Sequence, residues 1–323
     1  MAGGVPEPTS APASATRLPF KRLLLVLGVV ATAYAAALLL WGDRPGASLA
    51  LLWSWTGLQA GALCLLNYLL RGIRWRLWMA HYGRHFGWLE GLRLYLAGYA
   101  FTPTPGNVGE ALRGLLLARK PLGAAQSLAI FGAERFADLL CLLLLCLPAL
   151  FWLWGHDAVR SVDVDPRAAA FLAASLATVV ATAAGLLFFY RRRLLQRFSW
   201  AHEASQCLRV RPLVWFSLTL TAWAAQGLAV WLLCNSLGLQ LPVVIAAGFY
   251  AIAMVAGALS ALPAGLGGTE AVLAGLLAAQ NATPELALAI TVMARLLTLW
   301  LAVAMGMVAL LYSAAIRKDI SFK

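Results

Sequence analysis

Long apolar runs, separated by short polar segments, organise most of the chain. A helix rises about 1.5 Å per residue, so about 20 apolar residues cross the roughly 30 Å hydrocarbon layer of a membrane. The pattern predicts an all-α polytopic membrane protein with about six full transmembrane helices. The predicted spans cover residues 23–41, 48–70, 126–154, 168–190, 213–237 and 286–312.

Two further apolar stretches, residues 94–118 and 243–280, are interrupted by proline and glycine. After each break about a dozen residues remain, too few to span. Non-helical backbone survives at membrane depth only inside protein or beside a cavity. We predict two re-entrant helical hairpins, although residues 243–262 alone are long enough for a full span. The residues of the two breaks are Pro103, Pro105, Gly106, Pro263, Gly265 and Gly267.

The composition also requires lipid as the main solvent. Hydrophobic residues make up 62% and charged residues 12% of the chain, against about 45–50% and 25% in soluble domains. This argues against a soluble enzyme, a nucleic-acid binder and a disulfide scaffold. The five cysteines lack a C-x-x-C spacing, and His81 and His85 have no third ligand nearby. We therefore expect no metal and no cofactor.

The net charge of +12 indicates topology rather than nucleic-acid binding. With the N-terminus inside, most Lys and Arg residues fall on cytoplasmic segments, as the positive-inside rule requires. The basic and aromatic segment 71–93 is then expected at the membrane–water interface. We predict a multi-pass inner-membrane protein with both termini in the cytoplasm.

An internal repeat relates the two halves of the chain. At one constant offset Pro103 matches Pro263, and a Glu–Arg spacing of 25 residues recurs in both halves. An odd number of spans separates the copies, so the second would be inverted, as in many secondary transporters. The alternative is coincidence in a chain rich in leucine and alanine. The predicted units are a disordered tail (1–16), a first repeat (17–160), a second repeat (161–317) and a short tail (318–323).

Both breaks carry a helix-start signal. Asn107 and Glu110 have the spacing of a capping box, and Gly267 and Glu270 stand at the equivalent places. A helix N-terminus inside the membrane favours an anion. The competing interpretation is that the two glutamates only neutralise their own helix ends.

Ionisable residues also interrupt the apolar spans. Spacing on the third span brings Glu134 and Arg135 within reach of Asp138. Arg295 has no acidic neighbour on its own span, so it needs a partner from elsewhere, with Glu270, Glu134 and Asp138 as candidates. Either these residues form static ion pairs, or Arg135 and Arg295 meet a substrate phosphate from opposite sides.

These motifs resemble the transmembrane flippase-like domain of lysylphosphatidylglycerol synthases. The similar segments are Arg74-Trp75, residues 105–113, residues 134–138, residues 262–270 and Arg295. The resemblance implies a protein that moves lipids or lipid-linked molecules between leaflets. No large soluble domain follows before Lys323, so synthase activity is expected to be absent. The candidate substrate-binding residues are Asn107, Glu110, Arg113, Glu134, Arg135, Asp138, Glu270 and Arg295.

The leading hypothesis is therefore a flippase and not an enzyme. Its partners would be membrane lipids, such as a phospholipid or a polyprenyl- or hopanoid-type lipid, and not nucleic acid. The first alternative is a membrane-embedded glycosyltransferase that uses a polyprenyl-phosphate sugar, with Asp157, Asp163 and Asp165 as its extracytoplasmic carboxylates. A small-solute secondary transporter is the second alternative.

Overall fold

The computed structural model describes Thr32 and residues 50–102, 110–111, 113–116, 122–155, 199–260 and 262–321. Within these ranges the chain is helical and contains no β-strand. The predicted spans at 23–41 and 168–190 lie outside the described residues, apart from Thr32. The described helices are α1 Trp55–His81, α2 Trp88–Ala97, α3 Arg113–Leu116, α4 Ala124–Gly155, α5 Ser199–Arg209, α6 Pro212–Ser236, α7 Val243–Leu259, α8 Gly268–Ala278, α9 Pro284–Arg295 and α10 Leu301–Ser321.

Three long apolar helical segments in the described ranges can cross a membrane. They are Ala124–Leu153, Pro212–Ser236 and Pro284–Ser313, close to three of the predicted spans. The last segment joins α9 to α10 through a π-helical turn, Leu296–Trp300. Helix α10 continues to Ser321, beyond the predicted end of the last span.

Helix α4 separates an outward apolar face from an inward polar face. Its exposed side chains recur three or four residues apart, the spacing that defines one face of a helix. In a membrane this face meets lipid, while Glu134, Asp138 and Cys141 on the opposite face are buried. The exposed large apolar residues of α4 are Leu128, Phe136, Leu139, Leu143, Leu144, Leu147, Leu150 and Phe151.

The predicted end of the second span is wrong. Helix α1 continues for three more turns beyond Leu70, to His81. Arg71 and Arg74 were expected at the membrane–water interface, but both are buried. The physical reason is pairing, because an acidic residue of α4 approaches these guanidinium groups and compensates their charge.

The second break is a short irregular segment between α7 and α8. Helix α7 has 17 residues and α8 has 11, so each is shorter than a usual span. Between them Ala264 has φ 54° and Gly265 has φ 67°, the left-handed region that favours glycine. The first break is described only at its edges, where a 3-10 turn, Gly98–Phe101, follows α2.

The described helices form a bundle around a shared polar interior. Helix α1 packs along α6, α7 packs on α4, α6 and α8, and α2 with its 3-10 turn packs on α10. Close approach depends on small residues; a side chain at Gly248 of α7, for example, would collide with Ala149 of α4. This packing brings α1, α4, α6, α7 and the π turn to one central space.

Candidate functional site

A polar cavity lies among these helices. Its free volume is about 520 Å³, including the part that opens to the surroundings. Arg71, Arg135 and Arg295 supply its cationic groups, and Glu110 supplies a carboxylate. Its other described lining residues are Tyr68, Tyr99, Thr102, Trp223, Gln226, Tyr250, Met254, Ala264, Thr298, Leu299 and Ala302.

Asp138 is the centre of the ion pairs on one side of this cavity. Its carboxylate lies 2.9 Å from Nη2 of Arg71 and 2.7 Å from Nη1 of Arg74. Trp223 donates its indole N–H to Oδ1 at 3.2 Å. Because Asp138 is buried, the two arginines and the indole replace the water that an ionised carboxylate needs.

Glu110 connects the first break to the same network. Its Oε2 atom accepts from Nη2 of Arg113 at 2.9 Å, and its Oε1 atom accepts from the Thr102 hydroxyl at 3.1 Å. Nη1 of Arg113 lies 3.5 Å from Oε1 of Glu134. The Arg113 guanidinium also lies 4.4 Å from the ring centroid of Tyr95, a cation–π contact.

Arg135 is held more loosely than the other arginines of this network. Its Nη2 atom lies 3.4 Å from Glu110 and 3.3 Å from Asp138, longer than the usual 2.7–2.9 Å of charge-assisted hydrogen bonds. One third of its side chain, 33%, is exposed, against 0–8% for Arg71, Arg74 and Arg113. Arg135 is therefore the cation of the network that a bound anion can reach.

Arg295 is fixed at the second break. Its Nε atom donates to Oε1 of Glu270 at 2.6 Å, and its Nη2 atom donates to the Ala264 carbonyl at 2.8 Å. Oε2 of Glu270 accepts from the backbone N–H of Gly267 at 2.7 Å. The predicted need of Arg295 for an acidic partner is thus confirmed, with Glu270 as that partner. Glu270 also satisfies the N-terminus of α8 itself.

The π turn after Arg295 is tied to α1. Tyr68 donates its hydroxyl toward the carbonyls of Leu297 and Thr298, at 2.9 and 3.0 Å. A π turn shifts the helical hydrogen-bond pattern by one residue, and the tyrosine hydroxyl supplies a donor to these carbonyls. Tyr68 therefore fixes the cavity wall close to Arg295.

Gln226 places an amide in the cavity wall. Tyr250 donates its hydroxyl to Oε1 of Gln226 at 3.1 Å. This bond uses one lone pair of the amide oxygen and leaves the two amide N–H groups as donors. The Gln226 residue is only 3% exposed, and the part that remains accessible lines the cavity.

The predicted site residues fall into three groups. Asn107, Pro103, Pro105 and Gly106 lie outside the described residues. Glu270 and Arg295 form the pair at the second break, where Pro263, Gly265 and Gly267 shape the backbone. The remaining predicted residues form the network beside the cavity, namely Glu110, Arg113, Glu134, Arg135 and Asp138.

Several cavity residues were not among the predicted site residues. Arg71 was assigned to an interfacial segment, although its place one helical turn before Arg74 gave a signal. Gln226 is a polar residue within an otherwise apolar span, which is a signal in itself. Tyr68, Tyr99 and Tyr250 gave no such signal, because aromatic residues are common throughout the sequence.

The fold and the site define a helical membrane protein in which charged side chains line a cavity inside an otherwise apolar helical bundle. The family model described as lysylphosphatidylglycerol synthase TM region matches residues 24–306. The chain belongs to this family, which confirms the resemblance seen in the sequence and indicates a role in membrane-lipid metabolism or transport. Comparison with the curated proteins finds no match.

Proposed function

We propose that this protein is a lipid transporter, and not an enzyme, that moves a phosphate-bearing lipid or lipid-linked molecule between leaflets. The observation that carries this proposal is Arg135, which lines the cavity and whose side chain is one-third exposed. The headgroup would enter this cavity while the acyl or prenyl tails stay in the surrounding bilayer.

The energetics of a headgroup in hydrocarbon support a cavity of this kind. A charged group at the centre of a bilayer costs at least about 2.5–3.5 kcal/mol on insertion scales. Fixed polar side chains lower this cost by replacing water. Guanidinium groups match the geometry of phosphate oxygens and stay charged at any physiological pH. Arg135 lines the cavity with such a group.

We also infer the inverted repeat and the two re-entrant hairpins that the sequence pattern predicts. Glu110 contacts Arg135 on α4, and Glu270 at the start of α8 contacts Arg295 at the end of α9, so an ion pair of the same sequence spacing lies next to each break. Both arginines line the same cavity. In this arrangement the breaks approach the middle of the membrane, with both termini at the cytoplasmic side of the inner membrane.

Lipid movement can be measured with the purified protein in phosphatidylcholine vesicles. Each preparation carries a trace of phosphatidylglycerol labelled on one acyl chain, and a membrane-impermeant reductant reports how fast the label changes leaflet. We expect wild type to exceed empty vesicles clearly and Arg135→Gln to lose most of this rate. Gln240→Glu, at an exposed loop position, is the control and should retain the rate. A wild-type rate equal to that of empty vesicles would refute the proposal.

The same preparations test the two alternatives. Asp157, Asp163 and Asp165, the carboxylates of the transferase hypothesis, lie outside the described residues. Replacing all three by Asn should leave lipid movement unchanged in a flippase, whereas a transferase that uses them should lose its glycosylated product. A small-solute transporter would move soluble anions into vesicles without moving labelled lipid.

A further inference from the structure

We infer that the cavity selects lipids with an anionic phosphodiester headgroup that carries no cationic substituent, and that Arg135 and Gln226 bind this phosphodiester. The inference rests on the proposed transport function and adds the class of headgroup. Three observations carry it: the charge balance of the network, the contacts that Glu110, Tyr99 and Trp223 already make with arginine side chains, and the hydrogen bond that the Gln226 amide oxygen accepts.

The charge balance of the network leaves one positive charge. Among the described residues that form it, four arginines face three carboxylates, and the separate Arg295–Glu270 pair is neutral. An unbalanced charge in a low-dielectric interior is costly, and a bound anion removes this cost. The members of the network are Arg71, Arg74, Arg113, Arg135, Glu110, Glu134 and Asp138.

Glu110 and two aromatic rings of the cavity wall, which could bind a cationic substituent, already contact arginine side chains. Glu110, the carboxylate in the cavity wall, accepts from Thr102 and Arg113 and contacts Arg135. The rings of Tyr99 and Trp223 could stack on an ammonium group, but the Arg71 guanidinium lies 5.9 and 5.2 Å from their centroids. Within the described lining, an ammonium group would therefore meet three arginines and one carboxylate that three side chains already contact.

Gln226 complements Arg135 as a hydrogen-bond donor. Its oxygen is occupied by Tyr250, so the amide N–H groups are what it presents to a ligand. An amide N–H donates to a phosphate oxygen and offers nothing to an ammonium group. Arg135, whose side chain is partly exposed, lines the same cavity. Together they supply donors to the oxygens of one phosphodiester.

Two substitutions remove the surplus charge by different routes. Arg135→Gln deletes a cation, and Gln226→Glu adds an anion with nearly the same shape whose second oxygen repels phosphate. Gln240→Glu adds the same charge at an exposed loop position and is the matched control. Elution as a single species in detergent shows that each variant is folded.

The assay compares two acyl-labelled lipids, phosphatidylglycerol and phosphatidylcholine, each as a trace in phosphatidylcholine vesicles. Both lipids carry the same phosphodiester, so they differ in the ammonium group of phosphatidylcholine, which would lie beside the surplus positive charge. Repulsion between two like charges a few ångströms apart in a partly buried site exceeds about a tenfold change in affinity. We therefore expect wild type and Gln240→Glu to move phosphatidylglycerol at least about tenfold faster than phosphatidylcholine. Both cavity variants should lose most of this preference.

Each outcome has a defined meaning. Equal wild-type rates for the two lipids, both above empty vesicles, would overturn the headgroup inference while leaving lipid transport intact. A wild-type preference that survives in both cavity variants would overturn the assignment to Arg135 and Gln226. Wild-type rates equal to those of empty vesicles for both lipids would overturn the proposed function and this inference with it.

Discussion

The Nε atom of Arg295 lies 2.6 Å from Oε1 of Glu270, and this ion pair joins the start of α8, beside the second break, to the end of α9. The Arg295 side chain is 2% exposed and that of Glu270 is 17% exposed. Arg295 also donates to the Ala264 carbonyl, at the residue with φ 54°. The pair therefore holds an unfavourable backbone conformation in place at the cavity wall.

Breaking this pair should destabilise the protein. Arg295→Met leaves Glu270 without its guanidinium and the Ala264 carbonyl without this donor. Removing one partner of a buried ion pair costs about 3–5 kcal/mol. We expect the free energy of unfolding to fall by about 3 kcal/mol, near the lower end of this range. The reason is that Glu270 is partly exposed to solvent and still accepts the hydrogen bond from the Gly267 N–H. Denaturant-induced unfolding in detergent micelles measures the change.

A double-mutant cycle with Glu270→Gln isolates the pairwise contribution. If the ion pair stabilises the second break, the free energy of unfolding falls less in the double variant than the sum of the losses in the two single variants. Additive losses would show that the two side chains act independently. Glu285→Gln, at an exposed position in the first turn of α9, is the control for loss of a carboxylate.

Asp138 should be the most sensitive carboxylate of the network. Asp138→Asn leaves Arg71 and Arg74 buried without their shared counter-charge, so we expect a loss of about 3–5 kcal/mol. Glu134→Gln should cost clearly less, about 1–2 kcal/mol, because the nearest guanidinium nitrogens lie 3.5 and 3.8 Å from Glu134. The comparison uses the same unfolding measurement. If Glu134→Gln lowered the free energy of unfolding more than Asp138→Asn, the guanidinium–carboxylate distances would not predict which carboxylate contributes more to stability.

The sequence predicted local helices better than the network between them. The span at 126–154 agrees with α4 within two residues at each end, since a long apolar run limits a membrane helix by length alone. The burial of Arg71 and Arg74 could not be predicted from the length of an apolar run. Basic residues that follow an apolar run have the pattern of an interfacial segment, and only the approach of Asp138 from another helix allows their burial.

The same limit applies to the cavity lining. That Arg295 needs an acidic partner followed from one rule, that a buried charge must be compensated, and Glu270 was one of three candidate carboxylates. The link between Gln226 and Tyr250 joins two neighbouring helices, and no sequence period encodes it. Residues that act through packing between helices are therefore the ones that the sequence left unassigned.

Tyr68→Phe tests the support of the π turn. The substitution keeps the ring but removes the hydroxyl that reaches the Leu297 and Thr298 carbonyls. We expect a loss of about 1–2 kcal/mol, the usual cost of leaving a buried acceptor without its donor. Amide hydrogen exchange of the π turn should become faster as well. Tyr312→Phe, on an exposed ring, should change neither property; equal effects of both variants would contradict the assigned role.

Gly306→Ala and Gly61→Ala should have effects of opposite sign. Both glycines lie inside helices, where alanine is favoured by about 1 kcal/mol. A Cβ atom at Gly306 would overlap the backbone of Tyr99 and Ala100 in the 3-10 turn, whereas one at Gly61 meets no atom within 4 Å. Backbone cannot move aside as a flexible side chain can, so α10 would have to shift away from this turn.

The expected changes in stability follow from the room available for a Cβ atom at each glycine. Gly306→Ala should destabilise the protein by about 1–3 kcal/mol despite the gain in helix propensity. Gly61→Ala should stabilise it by up to about 1 kcal/mol. Because Tyr99 lines the cavity, the Gly306 variant should also move labelled lipid more slowly than wild type in vesicles. Stabilisation by both substitutions would show that α10 does not pack against the turn as closely as the structure has it.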